Sequence, residues 1–301
     1  MSFSSGVKNE ICRVSKLRPC CMAAEVYGAL LFGNTFSPAE VRIVTENRAF
    51  ASRLQKLVTD AFGFGFDSVA GEPEGGGKLV LTITDGKHLA AILDSYGYSA
   101  DGLLAHHVNL GVLEEDCCRI SFLRGAFLAG GSVTDPGKRY HLELVTSHYN
   151  VARELFWLLG ELGFEPGNTS RGGNYITYFK HSEAIEDLLT MLGAPIAAMD
   201  LMTAKVEKEM RNTVNRKVNC DTANLEKMVN ATMRQLSAIE KLEASGAMET
   251  MSDKLRDTAK ARRENPEASL AELAQTLDPP VTKSCLNHRL NKIIEAAEQL
   301  G

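Results

Sequence analysis

The chain predicts an α+β fold in which an α-β-β-α-β-β-α unit occurs twice and an all-helical domain follows. Three observations carry this reading: an internal repeat at a fixed offset, strand-then-helix patterning inside each copy, and the loss of strand signals after residue 202. The segment from Cys20 to Phe36 lies over the segment from Cys117 to Val133, with Gly28 on Gly125 and Gly33 on Gly130. The offset is 97 at each pair: 117 against 20, 125 against 28, 130 against 33. Downstream, residues 41–64 resemble 142–164; each begins with alternating apolar residues and turns to a helical period that ends in Gly-Phe. Residues 78–97 match 175–193 as a short strand, a turn and a helix stopped by glycine. In the second copy Thr134-Asp135-Pro136-Gly137 marks one hairpin turn and Arg171-Gly172-Gly173-Asn174 another.

Bulk properties are those of a two-domain globular chain. It has 301 residues, 44% of them hydrophobic and 24% charged. The net charge of -5 does not exclude nucleic acid, because DNA responds to local basic surface rather than to the sum. The opening residues lack the pattern of a secretory signal and no apolar run is long enough to span a bilayer, so a cytoplasmic, non-membrane protein is expected. Seven cysteines include the adjacent pairs Cys20-Cys21 and Cys117-Cys118, with no C-x-x-C spacing. Neighbouring residues make poor disulfides and poor joint ligands for one tetrahedral metal, so reduced structural thiols are expected, with no metal and no cofactor.

The duplicated domain is expected over 1–203, with pseudo-repeats at about 20–97 and 117–193. A basic linker follows over 204–222, and a helical domain over 223–301. In and beside the linker, Lys205, Lys208, Arg211, Arg216 and Lys217 either follow a phosphate backbone or form a solvated charged stretch. Leu225, Met228, Val229, Met233, Leu236, Ile239 and Leu242 then make an amphipathic stripe, ending near Ser245-Gly246. A helix over about 252–264 carries Arg262 and Arg263 near its end, which either bind phosphate or are solvated. Ser269-Leu270-Ala271-Glu272 is a capping box, Asp278-Pro279-Pro280 stops the short helix it starts, and Thr282 is placed to cap the last helix.

That last helix turns Leu286, Leu290, Ile293, Ile294 and Ala297 to one face, and carries Ser284, Asn287, His288, Asn291 and Lys292 on the other face and its shoulders. Lys283, Arg289 and Lys292 lie in its first half, whereas Glu295 and Glu298 lie in its second. This order opposes the helix macrodipole and suits a recognition helix whose first half enters a major groove. Asparagine hydrogen-bonds adenine, and arginine reads guanine or holds phosphate. A short helix, a tight turn and an amphipathic helix is the helix-turn-helix order, expected at about 268–300.

Leu123-Arg124-Gly125-Ala126-Phe127-Leu128-Ala129-Gly130-Gly131 resembles the LAGLIDADG motif of homing endonucleases; Tyr27 to Thr35 is a looser match. In the active enzymes an aspartate at the eighth motif position holds a divalent metal; here that position is Gly33 in one copy and Gly130 in the other. Magnesium needs oxygen ligands, so the resemblance keeps the fold and loses the chemistry, and no catalytic residue is expected. Asp135 nearby is read as turn chemistry. With residues 215–227 and 269–293, nearly all of the chain resembles the WhiA family. The resemblance implies a LAGLIDADG-like pseudo-twofold domain plus a helix-turn-helix. It further implies a DNA-binding transcription regulator, nucleoid-associated, tied to sporulation or to cell division and chromosome segregation. It also implies a WhiB-like iron–sulfur co-regulator or a division protein as partner. The competing expectations are an adaptor in division with weak DNA binding, and a metal-dependent endonuclease. Residues 205–301 hold sixteen Lys and Arg against fifteen Asp and Glu, so the negative charge lies in the first domain, which is therefore expected to bind protein rather than DNA.

Overall fold

The structure, a computed structural model, describes residues 2–71, 77–98 and 105–300. It divides into two units, Met1–Glu209 and Met210–Gly301. In the first unit a leading helix α1 (Phe3–Ile11) precedes one repeat: α2 (Pro19–Leu31), β1 (Thr35–Phe36), β2 (Val41–Thr45), α3 (Arg48–Phe62), β3 (Ser68–Ala70), β4 (Leu79–Ile83) and α4 (Gly86–Ser95). The second repeat is α5 (Asp116–Gly130), β5 (Gly131–Val133), β6 (Leu142–Thr146), α6 (Tyr149–Glu161), β7 (Gly167–Arg171), β8 (Asn174–Phe179) and α7 (Ser182–Leu192). Both copies have the expected α-β-β-α-β-β-α order. Each sheet is antiparallel, β1-β2-β4-β3 in one and β5-β6-β8-β7 in the other.

Period-two alternation sets which strand face is covered. In β2 Val41 and Ile43 are buried while Arg42 is exposed; in β6 Leu142, Leu144 and Thr146 are buried. Arg42 pairs across to Thr82 and Glu143 to Tyr178. Helix ends follow local chemistry: Asn47 Oδ1 accepts from Phe50 N at 2.8 Å to start α3, and Gly63, at φ 78°, stops it.

Helices α2 and α5 form the spine of this unit. A Cβ on Gly28 would stand 2.0 Å from the Phe122 carbonyl oxygen, and one on Gly125 would stand 1.9 Å from that of Glu25. Only glycine permits backbones this close. Tyr27, Leu30, Leu31, Phe122 and Phe127 fill the core around the crossing. Glu25, also buried, takes Arg53 at 2.5 Å and Arg124 at 3.3 Å, so its charge is paired across the two copies.

Helix α8 (Pro195–Ala244) starts in the first unit, where Glu10 accepts from Ile196 N at 2.7 Å and Ala197 N at 3.0 Å. It corrects the expected 204–222 linker, which is helical throughout. Between Pro195 and Gly246 the sequence has neither proline nor glycine, so nothing local ends the helix. The amphipathic stripe is corrected too: Leu225, Met228, Val229 and Met233 are exposed, Leu236 is half-buried, and Ile239 and Leu242 are buried. The second core begins at Ala238, about two turns from the end of α8, so earlier apolar positions meet no covering surface within their unit. Its helices are α9 (Asp253–Glu264), α10 (Leu270–Gln275) and α11 (Lys283–Glu298), packed through Met248, Leu273, Ala274, Leu286, Leu290 and Ile293.

Candidate nucleic-acid interface

The α10–α11 pair is fixed at three points. Ser269 Oγ accepts from Glu272 N at 3.3 Å while Glu272 Oε2 accepts from Ser269 N at 2.8 Å, a complete capping box. Val281 N donates to the Ala274 carbonyl at 3.0 Å, closing the turn back onto α10. Thr282 Oγ1 accepts from Cys285 N at 3.2 Å, so α11 starts where the sequence places its cap.

Anchored this way, α11 buries Leu286, Leu290, Ile293 and Ala297 and leaves Lys283, Ser284, Asn287, His288, Asn291 and Lys292 exposed; Arg289 is half-buried on the shoulder. None of the ion pairs found among the described residues engages Lys283, Arg289 or Lys292, whereas Arg234 reaches Glu298 at 3.7 Å near the far end. The helix thus presents amides, a hydroxyl, an imidazole and cations along the surface of its first half, and acids in its second. That is a set of donors and acceptors suited to base edges and phosphate oxygens.

The remaining sequence-expected contacts separate. Arg262 is corrected: it is only 1% exposed, and its Nη1 donates to the Ala268 carbonyl at 2.8 Å and to those of Asn265 and Pro266 at 3.4 Å. It clamps the α9–α10 loop, and burial lowers its pKa. Sequence pattern missed this because two adjacent arginines near a helix end look the same whether both point outward or one tucks under the loop. Arg263 is exposed and its Nη1 lies 2.8 and 2.9 Å from the two Glu243 oxygens. Arg211, Arg216 and Lys217 are exposed on α8, in a stretch with no buried residue between 210 and 234, so no packing holds them in register with α11.

The motif positions of the first unit are occupied by packing. A Cβ on Gly33 would stand 2.2 Å from Ile43 Cδ1, and one on Gly130 would stand 2.5 Å from the Val145 carbonyl oxygen. Asp135 Oδ1 accepts from Gly137 N at 2.9 Å, the turn role expected of it. The Glu143 carboxylate is engaged by Ser132 at 3.3 Å, His141 at 3.3 Å and Arg171 at 4.0 Å.

Sequence comparison matches residues 119–211 to the "WhiA LAGLIDADG-like domain" and residues 214–297 to the "WhiA C-terminal HTH domain". The chain is 39% identical over 307 residues to the "probable cell division protein WhiA" of Ruminiclostridium cellulolyticum, covering 100% of this chain and 98% of that one. The chain belongs to the WhiA family. Its relative of the same description in Desulforudis audaxviator is 38% identical over 306 residues, with 100% and 98% coverage. Among solved structures, the full-length DUF199/WhiA protein from Thermatoga maritima matches with a TM-score of 0.60 at 24% identity, covering 100% of this chain and 99% of that one. An isolated N-terminal LAGLIDADG domain of a WhiA protein matches with a TM-score of 0.50 at 18% identity, over 64% of this chain and 92% of that one. The α+β duplicated LAGLIDADG-like domain followed by an all-α helix-turn-helix domain is therefore the WhiA fold. No helix among the described residues is long and apolar enough to cross a membrane.

Proposed function

We propose that this chain is a sequence-specific, non-catalytic DNA-binding regulator of cell division, with α11 as its recognition helix. The observation that carries the reading is the split of α11 into a buried apolar face and a solvent face bearing Ser284, Asn287, His288, Asn291 and Lys292. Double-stranded DNA is the partner, with Lys283 and Arg289 on phosphates or guanine edges. Arg211, Arg216, Lys217 and Arg263 add charge that is not positioned by packing; Arg262 belongs to the scaffold. The link to division, rather than to sporulation, is supported by the descriptions of the relatives.

The first unit is read as a platform for a protein partner, a division protein or a WhiB-like iron–sulfur co-regulator. Supporting this, the chain's negative charge resides there. Nuclease chemistry is disfavoured because both motif positions are glycine and offer no carboxylate, and at Gly130 the Val145 carbonyl stands where a Cβ would go.

Binding of the full chain to genomic DNA fragments, compared with an Asn287→Ala, Arg289→Ala variant, tests the proposal. Each lost base contact is expected to cost about 1–3 kcal/mol, with an unchanged thermal transition. Undiminished sequence-specific binding by the variant removes α11 from the interface, and cleavage in the presence of magnesium removes the non-catalytic reading.

A further inference from the structure

Spacing alone makes each adjacent cysteine pair a poor ligand set, yet the two pairs meet in space and all four Sγ atoms converge. Cys20 and Cys21 lie in the first turn of α2, Cys117 and Cys118 in the first turn of α5. The four Sγ atoms all lie within 4.8 Å of one another. The cause is the glycine crossing: Gly28 and Gly125 bring the helix backbones together, and each pair sits at the same distance along its helix from that crossing. Each pair faces the other across the crossing, so the cluster follows the same twofold as the repeat.

We propose that Cys20, Cys21, Cys117 and Cys118 form a four-thiolate site that binds one zinc ion and ties the two repeats together. Tetrahedral zinc with Zn–S bonds of about 2.3 Å sets its sulfurs ~3.8 Å apart, within reach of the observed cluster by side-chain rotation alone. Cys21 and Cys118 are buried, Cys117 is half-buried and Cys20 is exposed, which gives the cluster a dry base and an open side for the ion to enter. Two helix N-termini point their free N–H groups towards this end, and Arg18 adds positive charge near Cys20. These favour the thiolate of Cys20, whereas burial favours the thiol forms of Cys21 and Cys118, whose protons the ion itself must displace. Binding displaces the thiol protons to solvent and changes no oxidation state. With four sulfur donors no coordination position stays open for water, so the site is structural. It lies at the opposite end of α2 and α5 from Gly33 and Gly130, where the nuclease family binds its catalytic metal.

The test uses the full chain, purified without chelator. One zinc per chain by elemental analysis is expected. Cobalt substitution should give the sulfur-to-cobalt charge-transfer and tetrahedral ligand-field bands. In the zinc-loaded protein four of the seven cysteines should resist a thiol reagent until a chelator is added. Cys20→Ser, at the most exposed of the four, should weaken zinc binding by more than about 10-fold, whereas Cys220→Ser and Cys285→Ser should leave it unchanged. If Cys20→Ser does not fold, the cobalt spectrum and thiol protection of the unaltered chain still decide. No bound zinc with all thiols reactive overturns the proposal, as does mass-spectrometric detection of Cys20–Cys118 and Cys21–Cys117 disulfides in the purified chain.

Discussion

At the scale of single residues, two helical glycines with similar sequence surroundings have opposite roles. Gly125 has the Glu25 carbonyl oxygen where a Cβ would go, whereas Gly160 in α6 has nothing within 4 Å of that point. Gly125→Ala should therefore destabilise the protein by at least about 1–3 kcal/mol, because backbone has to move. Gly160→Ala should stabilise it by about 0.5–1 kcal/mol through the lost freedom of the unfolded chain. Chemical denaturation of the two variants measures both; the same sign for both would mean that the α2–α5 crossing is looser than its geometry states. His148 supplies a second residue-level prediction. Its ring stacks on His106 at 3.8 Å, and burial, reinforced by the neighbouring His106, pushes its pKa down to about 4. The folded state thus favours neutral His148, so its contribution is complete above about pH 6.5 and is lost as pH falls from there towards 4. His148→Phe, which keeps a ring against His106, should flatten the pH dependence of the melting temperature in that window.

At the scale of elements, α10 and α8 mark the limits of reading a sequence. Helix α10 has only six residues, too few to be stable alone, yet Ser269 and Glu272 announce its start and the structure forms both bonds of the box. Ser269→Ala should cost about 0.5–2 kcal/mol and, by loosening the α10–α11 turn, weaken DNA binding more than it perturbs the first unit. Thermal melts monitored together with DNA titrations separate the two effects. Helix α8 is the opposite case. Its middle turns are exposed, so no tertiary contact imposes a period on them, and the mixed polar pattern over 204–222 was legible only as a boundary. The chain divides into its two units between Glu209 and Met210, inside a continuous helix.

At the scale of the whole molecule, the buried residues form two separate clusters, one around Tyr27, Leu81 and Phe122 and one around Ile239, Leu273 and Leu290. Two cores without shared members should unfold as two events, so calorimetry should resolve two transitions. Gly125→Ala should lower only the one belonging to the first unit, and a single transition displaced as a whole would show the cores to be coupled. The clusters also divide the labour: one unit carries the remodelled LAGLIDADG spine, the other an outward-facing helix with exposed cations.

The sequence by itself determined the duplication, the strand and helix order of both repeats, the capping of α10 and α11, and the face of α11 that meets solvent. All of these are written in local periodicity or in a repeat offset, and short-range physics suffices to express them. Only the tertiary structure decided that Arg262 is a buried clamp, that Leu225, Met228, Val229 and Met233 lie bare on α8, and that Gly33 and Gly130 are closed off by Ile43 and Val145. It also brought four cysteines, 97 residues apart in pairs, to within 4.8 Å. Those facts depend on which surfaces meet, and a surface's partner is set by the closest approach of distant segments, which local periodicity does not reveal.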